Sequence, residues 1–163
     1  MEGPEPEARR KVLKSLTYGV HILAAGEGEA AVAGTVTWLS QASFNPPLVM
    51  AAIKAGSRLH AAVEIAGRFA LNVLREDQAS IAAMFFKPSH IEGDRINGLR
   101  FEAGPQTGAP LLVDLPFWLE ARILEAVRRG DHTVFVAEVI AAGVRAEGAR
   151  ALLLAATPWS YGG

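Results

Sequence analysis

Residues Phe117 to Ala142, FWLEARILEAVRRGDHTVFVAEVIAA, constrain the fold more than any other part of this 163-residue chain. Two long alternating runs flank Arg129-Gly130-Asp131, which reads as a hairpin turn. In the run from Phe117 to Arg128, Phe117, Leu119, Ala121 and Ile123 alternate with Trp118, Glu120, Arg122 and Leu124. In the run from His132 to Ala142, His132, Val134, Val136 and Glu138 share one face and Thr133, Phe135, Ala137 and Val139 the other. A period of two sustained this long requires strands and points to the long antiparallel hairpin of a barrel.

The remaining elements fit round that hairpin. Leu16 to Ala25 and Ala30 to Ser43 read as strands, the second rich in β-branched and aromatic residues (Val32, Thr35, Val36, Thr37, Trp38), with GEGE as the turn between them. Pro46-Pro47 ends the second run, and Leu48 to Ile53 follows as a strand buried on both faces. Ser57 is placed to cap a helix through Ala66, with Leu59, Ala62, Val63 and Ala66 on one stripe. Arg68 to Leu74 reads as a strand, Glu76 to Phe86 as a helix, and Ala149 to Ala156 as a last strand. Ser89 to Pro110 has few periodic signals and reads as a long irregular loop. An N-terminal helix, Glu5 to Leu16, carries Val12, Leu13 and Leu16 on one stripe, suited to a lid or dimer arm. The expectation is one domain over residues 1–163, with 1–15 as an N-terminal helix or arm. Its class is mainly β, an antiparallel barrel of about six to seven strands with inserted helices.

Composition narrows the chemistry. With no cysteine, thiolate nucleophiles, disulfides and cysteine-ligated metals drop out together, and a reducing, cytoplasmic setting is expected. The net charge of −1 and the lack of a basic stripe argue against nucleic acid as a partner. The longest apolar runs are far shorter than the roughly 20 residues of a membrane span, and the start MEGPEPEARRKVLKSL has no secretory pattern. His21, His60 and His90 have no ligand-spaced partners, so no metal is expected. No nucleophile signature appears either.

Three stretches carry the functional argument. GEGEAA, Gly26 to Ala31, imitates a dinucleotide-binding turn, but a β-branched run follows it where that motif needs a helix. KAGSR, Lys54 to Arg58, is a glycine bend opening a helix; its free amides, the Ser57 hydroxyl, Arg58 and Lys54 suit a terminal phosphate, and a plain helix cap is the bland alternative. GTVTWLSQASFNPP, Gly34 to Pro47, offers backbone amides and an indole to a flat aromatic ring; an ordinary barrel strand with Trp38 in the core accounts for it equally.

Taken in order, GTVTWLSQASFNPPLVMAAIKAGSRLHAAVEIAGRFALNVLREDQ and GDHTVFVAEV resemble the flavin reductase-like family, over about Leu16 to Tyr161. The resemblance implies an FMN-binding split barrel, a Greek-key antiparallel barrel assembled as a homodimer. It implies FMN, or FAD, as cofactor and NADH or NADPH as co-substrate, with reduced flavin passing to a partner monooxygenase. Carried onto this chain, Thr35, Val36, Thr37 and Trp38 would border the isoalloxazine, with Ser40 close by. Ala51, Ala52, Ile53 and Lys54 would line the ribityl chain, and Ser57 and Arg58 the phosphate. His132 matches the histidine beside the nicotinamide, where it would position that ring without acting as a base. Trp38 stands where many reductases carry a smaller polar residue. That substitution motivates a second reading, a tight FMN-binding electron-transfer protein of flavoredoxin type, reduced by a protein partner. A barrel-shaped dimer that binds no flavin is the third.

Overall fold

A computed structural model describes residues 3 and 5–163; positions 1, 2 and 4 of the expected N-terminal arm lie outside the described residues. Helix α1 (Pro6–Lys14) precedes strands β1 (His21–Ala25), β2 (Val32–Val36), β3 (Leu39–Ser43) and β4 (Leu48–Lys54). Helix α2 (Arg58–Ala66), β5 (Arg68–Val73) and helix α3 (Ala79–Met84) follow. Four short strands come next: β6 (Ile91–Glu92), β7 (Arg95–Ile96), β8 (Leu99–Ala103) and β9 (Pro110–Leu112). The hairpin β10 (Phe117–Arg128) and β11 (His132–Val144) completes the set.

The main sheet has seven strands in the order β2-β1-β5-β10-β11-β4-β3, and every pairing is antiparallel. Its two outer strands, β2 and β3, are consecutive in the chain and joined by only Thr37 and Trp38. A link of two residues spans well under 15 Å, so the sheet must bend round until its edges meet at that seam. Ala52 N donates to Trp38 O at 2.9 Å and fastens the seam to β4. The inward face forms one apolar cluster drawn from the whole circuit: Val36 of β2, Leu23 of β1, Leu71 of β5, Ala121 of β10, Phe135 of β11 and Ile53 of β4. Leu59 and Val63 of α2 join it, and the lack of a side chain at Gly34 gives Leu59 room to approach.

Strand β11 of the long hairpin lies where its alternation puts it. Thr133, Phe135 and Ala137 are buried while His132, Val134 and Val136 are half-buried. Strand β1 is buried on both faces, because Ile22 and Ala24 meet a second cluster made by Leu74, Ala82, Phe85, Leu115 and Leu152. His21 opens that strand; its Nδ1 lies 3.1 Å from Val36 O, and burial pushes its pKa down.

Four expectations are corrected. Leu48 to Ile53 is not buried on both faces: Val49, Ala51 and Ile53 face the core while Met50 on the other side is exposed, because the sheet covers its core on one face only there. Ala149 to Ala156 is not a strand: isolated bridges tie Ala151 to Arg75 and Leu153 to Gly19, and Leu154–Ala156 is a 3-10 turn. An apolar run of this length reads identically whether it is a strand or an extended segment pressed on a core. Ser89 to Pro110 is not an irregular loop, since β6, β7, β8 and β9 pair into a small sheet. Two of these strands are only two residues long, below what periodicity can register. The run from Ala30 to Ser43 is broken at Thr37-Trp38, where the chain passes from one sheet edge to the other. No helix among the described residues is long and apolar enough to cross a membrane.

Candidate functional site

A cavity of about 370 Å³ opens along the seam. Gly34 to Trp38 form one wall, Ala52, Ile53 and Lys54 of β4 a second, and Ser57 and Leu59 at the start of α2 close one end. Phe85 and Phe86 after α3, and Leu154, Trp159, Ser160 and Tyr161 near the chain's end, cover the remainder.

The seam leaves polar atoms without partners. Thr37 Oγ1 and Trp38 Nε1 are buried with no hydrogen-bond partner, whereas the neighbouring Thr35 Oγ1 donates to Ala82 O at 2.8 Å. Unpaired buried groups of this kind cost about 1–3 kcal/mol each, and they are tolerated where a ligand supplies the missing partner. A flat heteroaromatic ring system with edge acceptors fits both. The residues present therefore suit a flavin: apolar walls for the ring faces, two free donors for its edge and an anion-ready helix start beyond.

That helix start is built locally. Gly56 takes a φ of 79°, a left-handed bend that glycine adopts without strain, and Ser57 Oγ accepts from His60 N at 3.1 Å. First-turn amides of any helix lack partners within it, so those of Arg58 and Leu59 point out beside Lys54 and favour an anion there. His60 Nε2 lies 2.8 Å from Thr133 Oγ1, latching the first turn of α2 to the strand that carries His132. One turn on, Glu64 pairs with Arg128, and the guanidinium hydrogen bond lowers the carboxyl pKa.

His132 sits at the rim, outside the cavity lining. Its ring centroid is 4.5 Å from that of Trp38, its Nδ1 is 2.7 Å from Asp131 Oδ1 and its Nε2 is 2.7 Å from the Tyr161 hydroxyl. The imidazole hydrogen bond holds Asp131 below the usual carboxylate range, and Lys54 adds a smaller pull in the same direction. Strand pairing sets His132 opposite Lys54, so the anion end and the histidine rim belong to one place.

Of the residues singled out from sequence, Thr35, Val36, Thr37, Trp38, Ala52, Ile53, Lys54 and Ser57 line this cavity. Ser40, Ala51 and Arg58 do not. Ser40 is exposed and donates to Gln41 O, Ala51 is turned by strand alternation into the barrel core, and Arg58 lines a second cavity of about 680 Å³. Arg58 shares a helical face with Ala61, Ala62 and Ile65, and that face points away from the seam. Trp159 and Tyr161 were missed; the available signal was two aromatic residues in PWSYGG, where a strand end carries none by necessity.

Comparison with known proteins identifies the family. The flavin reductase like domain matches residues 13–158. An NADH-dependent flavin reductase, StyB, from Pseudomonas fluorescens is 33% identical over 135 residues, covering 82% of this chain and 76% of that protein. Among solved structures, the NADH:FAD oxidoreductase SgcE6 of Streptomyces globisporus C-1027 superposes with a TM-score of 0.78 at 26% identity, covering 94% of this chain and 91% of that one. The flavin reductase of styrene monooxygenase from Pseudomonas putida S12 gives 0.75 at 29% identity, with 95% and 96% covered. Some curated relatives are much longer: the chain spans 43% of a probable flavin reductase from Rhizobium meliloti, to which it is 28% identical over 138 residues. A sheet closed on a two-residue seam, a ring-sized cavity along it and these matches have one common account: the chain belongs to the flavin reductase-like domain family.

Proposed function

We propose that this protein is an NADH-dependent flavin reductase, which binds FMN or FAD along the Thr37–Trp38 seam and delivers reduced flavin to a monooxygenase partner. The observation that carries the reading is the pair of unpartnered buried donors at Thr37 and Trp38, in a cavity that ends at the free amides of α2. A relative named as an NADH-dependent flavin reductase supports the nucleotide, and a similar structure named as the flavin reductase of styrene monooxygenase supports the partner class. The reading includes a homodimer, supported by exposed apolar residues on α1 and just beyond its end: Val12, Leu13 and Leu16 are 63%, 41% and 52% exposed.

When bound, the flavin supplies the redox chemistry by accepting a hydride from the dihydronicotinamide. The chain's own residues bind and orient. Thr37 and Trp38 hold the ring edge, and Phe85 and Phe86 help to keep water from its face. Lys54, Ser57 and the α2 amides hold the phosphate, with Arg58 on the far face of the helix. His132 stands at the mouth to position the nicotinamide, and no proton has to pass through it during hydride transfer.

The direct test is the visible spectrum of the protein with one equivalent of FMN under anaerobic conditions, before and after NADH. Bleaching at catalytic speed is the expected result. A perturbed band that NADH leaves unbleached would instead mean a flavin protein fed by another donor. Under the proposed reading, His132→Ala raises KM for NADH about two- to ten-fold, the worth of one ring contact, and changes FMN affinity less than about two-fold. Steady-state kinetics alongside an FMN titration read both; equal losses would place His132 in the flavin pocket or the fold.

A further inference from the structure

The segment after Leu154 is anchored as far as Trp159. Thr157 Oγ1 donates to Leu154 O at 2.7 Å and accepts from Trp159 N at 3.3 Å, while the Trp159 ring meets Phe86 edge-on at 5.0 Å. Beyond Trp159, one hydrogen bond among the described residues holds the chain: the Tyr161 hydroxyl to His132 Nε2, at 2.7 Å. The Tyr161 ring also packs edge-on against Trp38 at 5.0 Å. Residues 160–163 are otherwise exposed.

Both nitrogens of His132 are thereby engaged. A carboxylate only accepts, so with Asp131 Oδ1 at 2.7 Å the proton of the neutral ring resides on Nδ1. Nε2 then presents a lone pair, and the phenol donates to it. Burial, and secondarily the Asp131 charge, raise the Tyr161 pKa, which keeps the phenol a donor through neutral pH. A nicotinamide carboxamide that approaches His132 with its N–H finds that lone pair occupied.

We propose that Tyr161 governs access of the pyridine nucleotide: its hydroxyl caps His132 Nε2, and NADH must replace that hydrogen bond with one from its own carboxamide to reach the flavin. The inference rests on the reading of His132 as the nicotinamide contact. The exchange trades like for like, so the cap weakens nucleotide binding by about the net worth of one hydrogen bond, roughly three- to ten-fold. The break falls between anchored Trp159 and singly tethered Tyr161, so opening requires movement of only the exposed residues.

The test is NADH oxidation at saturating FMN by the wild type, Tyr161→Phe, His132→Ala and the double variant. Phenylalanine keeps the ring against Trp38 and removes only the hydroxyl. Tyr161→Phe is expected to lower KM for NADH three- to ten-fold, and to have no effect on that KM in the His132→Ala background. An unchanged or raised KM in Tyr161→Phe overturns the proposal, as does an equal effect in both backgrounds. If neither Tyr161→Phe nor His132→Ala moves KM, the nicotinamide reading of His132 is what has failed, and the cap falls with it; a raised KM in His132→Ala beside an unmoved one in Tyr161→Phe keeps the nicotinamide contact and overturns the cap alone.

Discussion

Glu120→Ala is expected to destabilise the protein by about 3–5 kcal/mol, which for a chain of this size lowers Tm by roughly 6–20 °C. Glu120 points from β10 into the protein and is 0% exposed. Its carboxylate accepts from Gln106 N at 3.1 Å, from Thr107 N at 2.9 Å and from the Thr107 hydroxyl at 2.6 Å. These bonds hold the turn between β8 and β9, in which Gly104 N donates to Ala109 O and Gly108 N to Gly104 O. Gly104 packs so closely on the carboxylate that a β-carbon there would collide with it. Alanine leaves the two Thr107 donors without partners in the interior, the Gln106 N–H without its acceptor nearer the surface, and a void beside them. Glu120→Gln keeps the volume and one acceptor but turns an amide NH₂ toward N–H donors, so about half the loss is expected. Urea and thermal unfolding measure both; a loss under about 1 kcal/mol for alanine would mean that the turn rearranges to water, not that it depends on Glu120. FMN affinity is expected to hold in the folded variants, because Thr107 lines the second cavity and not the seam.

Glu120 also illustrates how far the sequence could be read. Its strand was legible because alternation is a local property, and the Phe117 to Ala142 hairpin forms. Register shifts at Glu120/Ala121 and between Ile123 and Glu125 nevertheless interrupt the alternation, and Glu120 is buried beside Ala121 on a face that the period of two makes the wetter one. That Glu120 would be the buried acceptor of a turn far along the chain was not legible, since its partners are backbone amides whose position depends on the fold of 99–112. The same division runs through the site. Gly34 to Trp38 could be read as a strand wall suited to a flat ring, and Lys54 to Ser57 as a glycine bend opening a helix, and residues of both stretches line one cavity. The register that sets His132 opposite Lys54, and the seam that leaves Thr37 and Trp38 unpaired, are consequences of sheet closure. No local pattern encodes them. Cap and charge adjoin in KAGSR, while the 100° step of the helix sets the guanidinium of Arg58 against the second cavity.

The placement of Arg58 alters what the phosphate end should do when mutated. Lys54→Ala combined with Ser57→Ala is expected to weaken FMN by about 100-fold or more, and riboflavin less than about three-fold. Hydrogen bonds to a charged group contribute about 1.5–3 kcal/mol, and each 1.4 kcal/mol is a factor of ten. Riboflavin lacks the phosphate but shares the ring and the ribityl chain, so it controls for collapse of the pocket. That control matters because Ser57 also caps α2, and its removal costs the helix about 1 kcal/mol in its own right. Arg58→Ala alone is expected to change FMN affinity by less than about three-fold, since its side chain lines the cavity on the other face of α2. Fluorescence titration of both flavins against the three variants separates the cases. Equal weakening of FMN and riboflavin by the double variant would move the phosphate away from the α2 start. A loss for Arg58→Ala as large as that for Lys54→Ala would mean that the guanidinium swings round the helix to meet the ligand, and the charge at this end of the site would then belong to both residues.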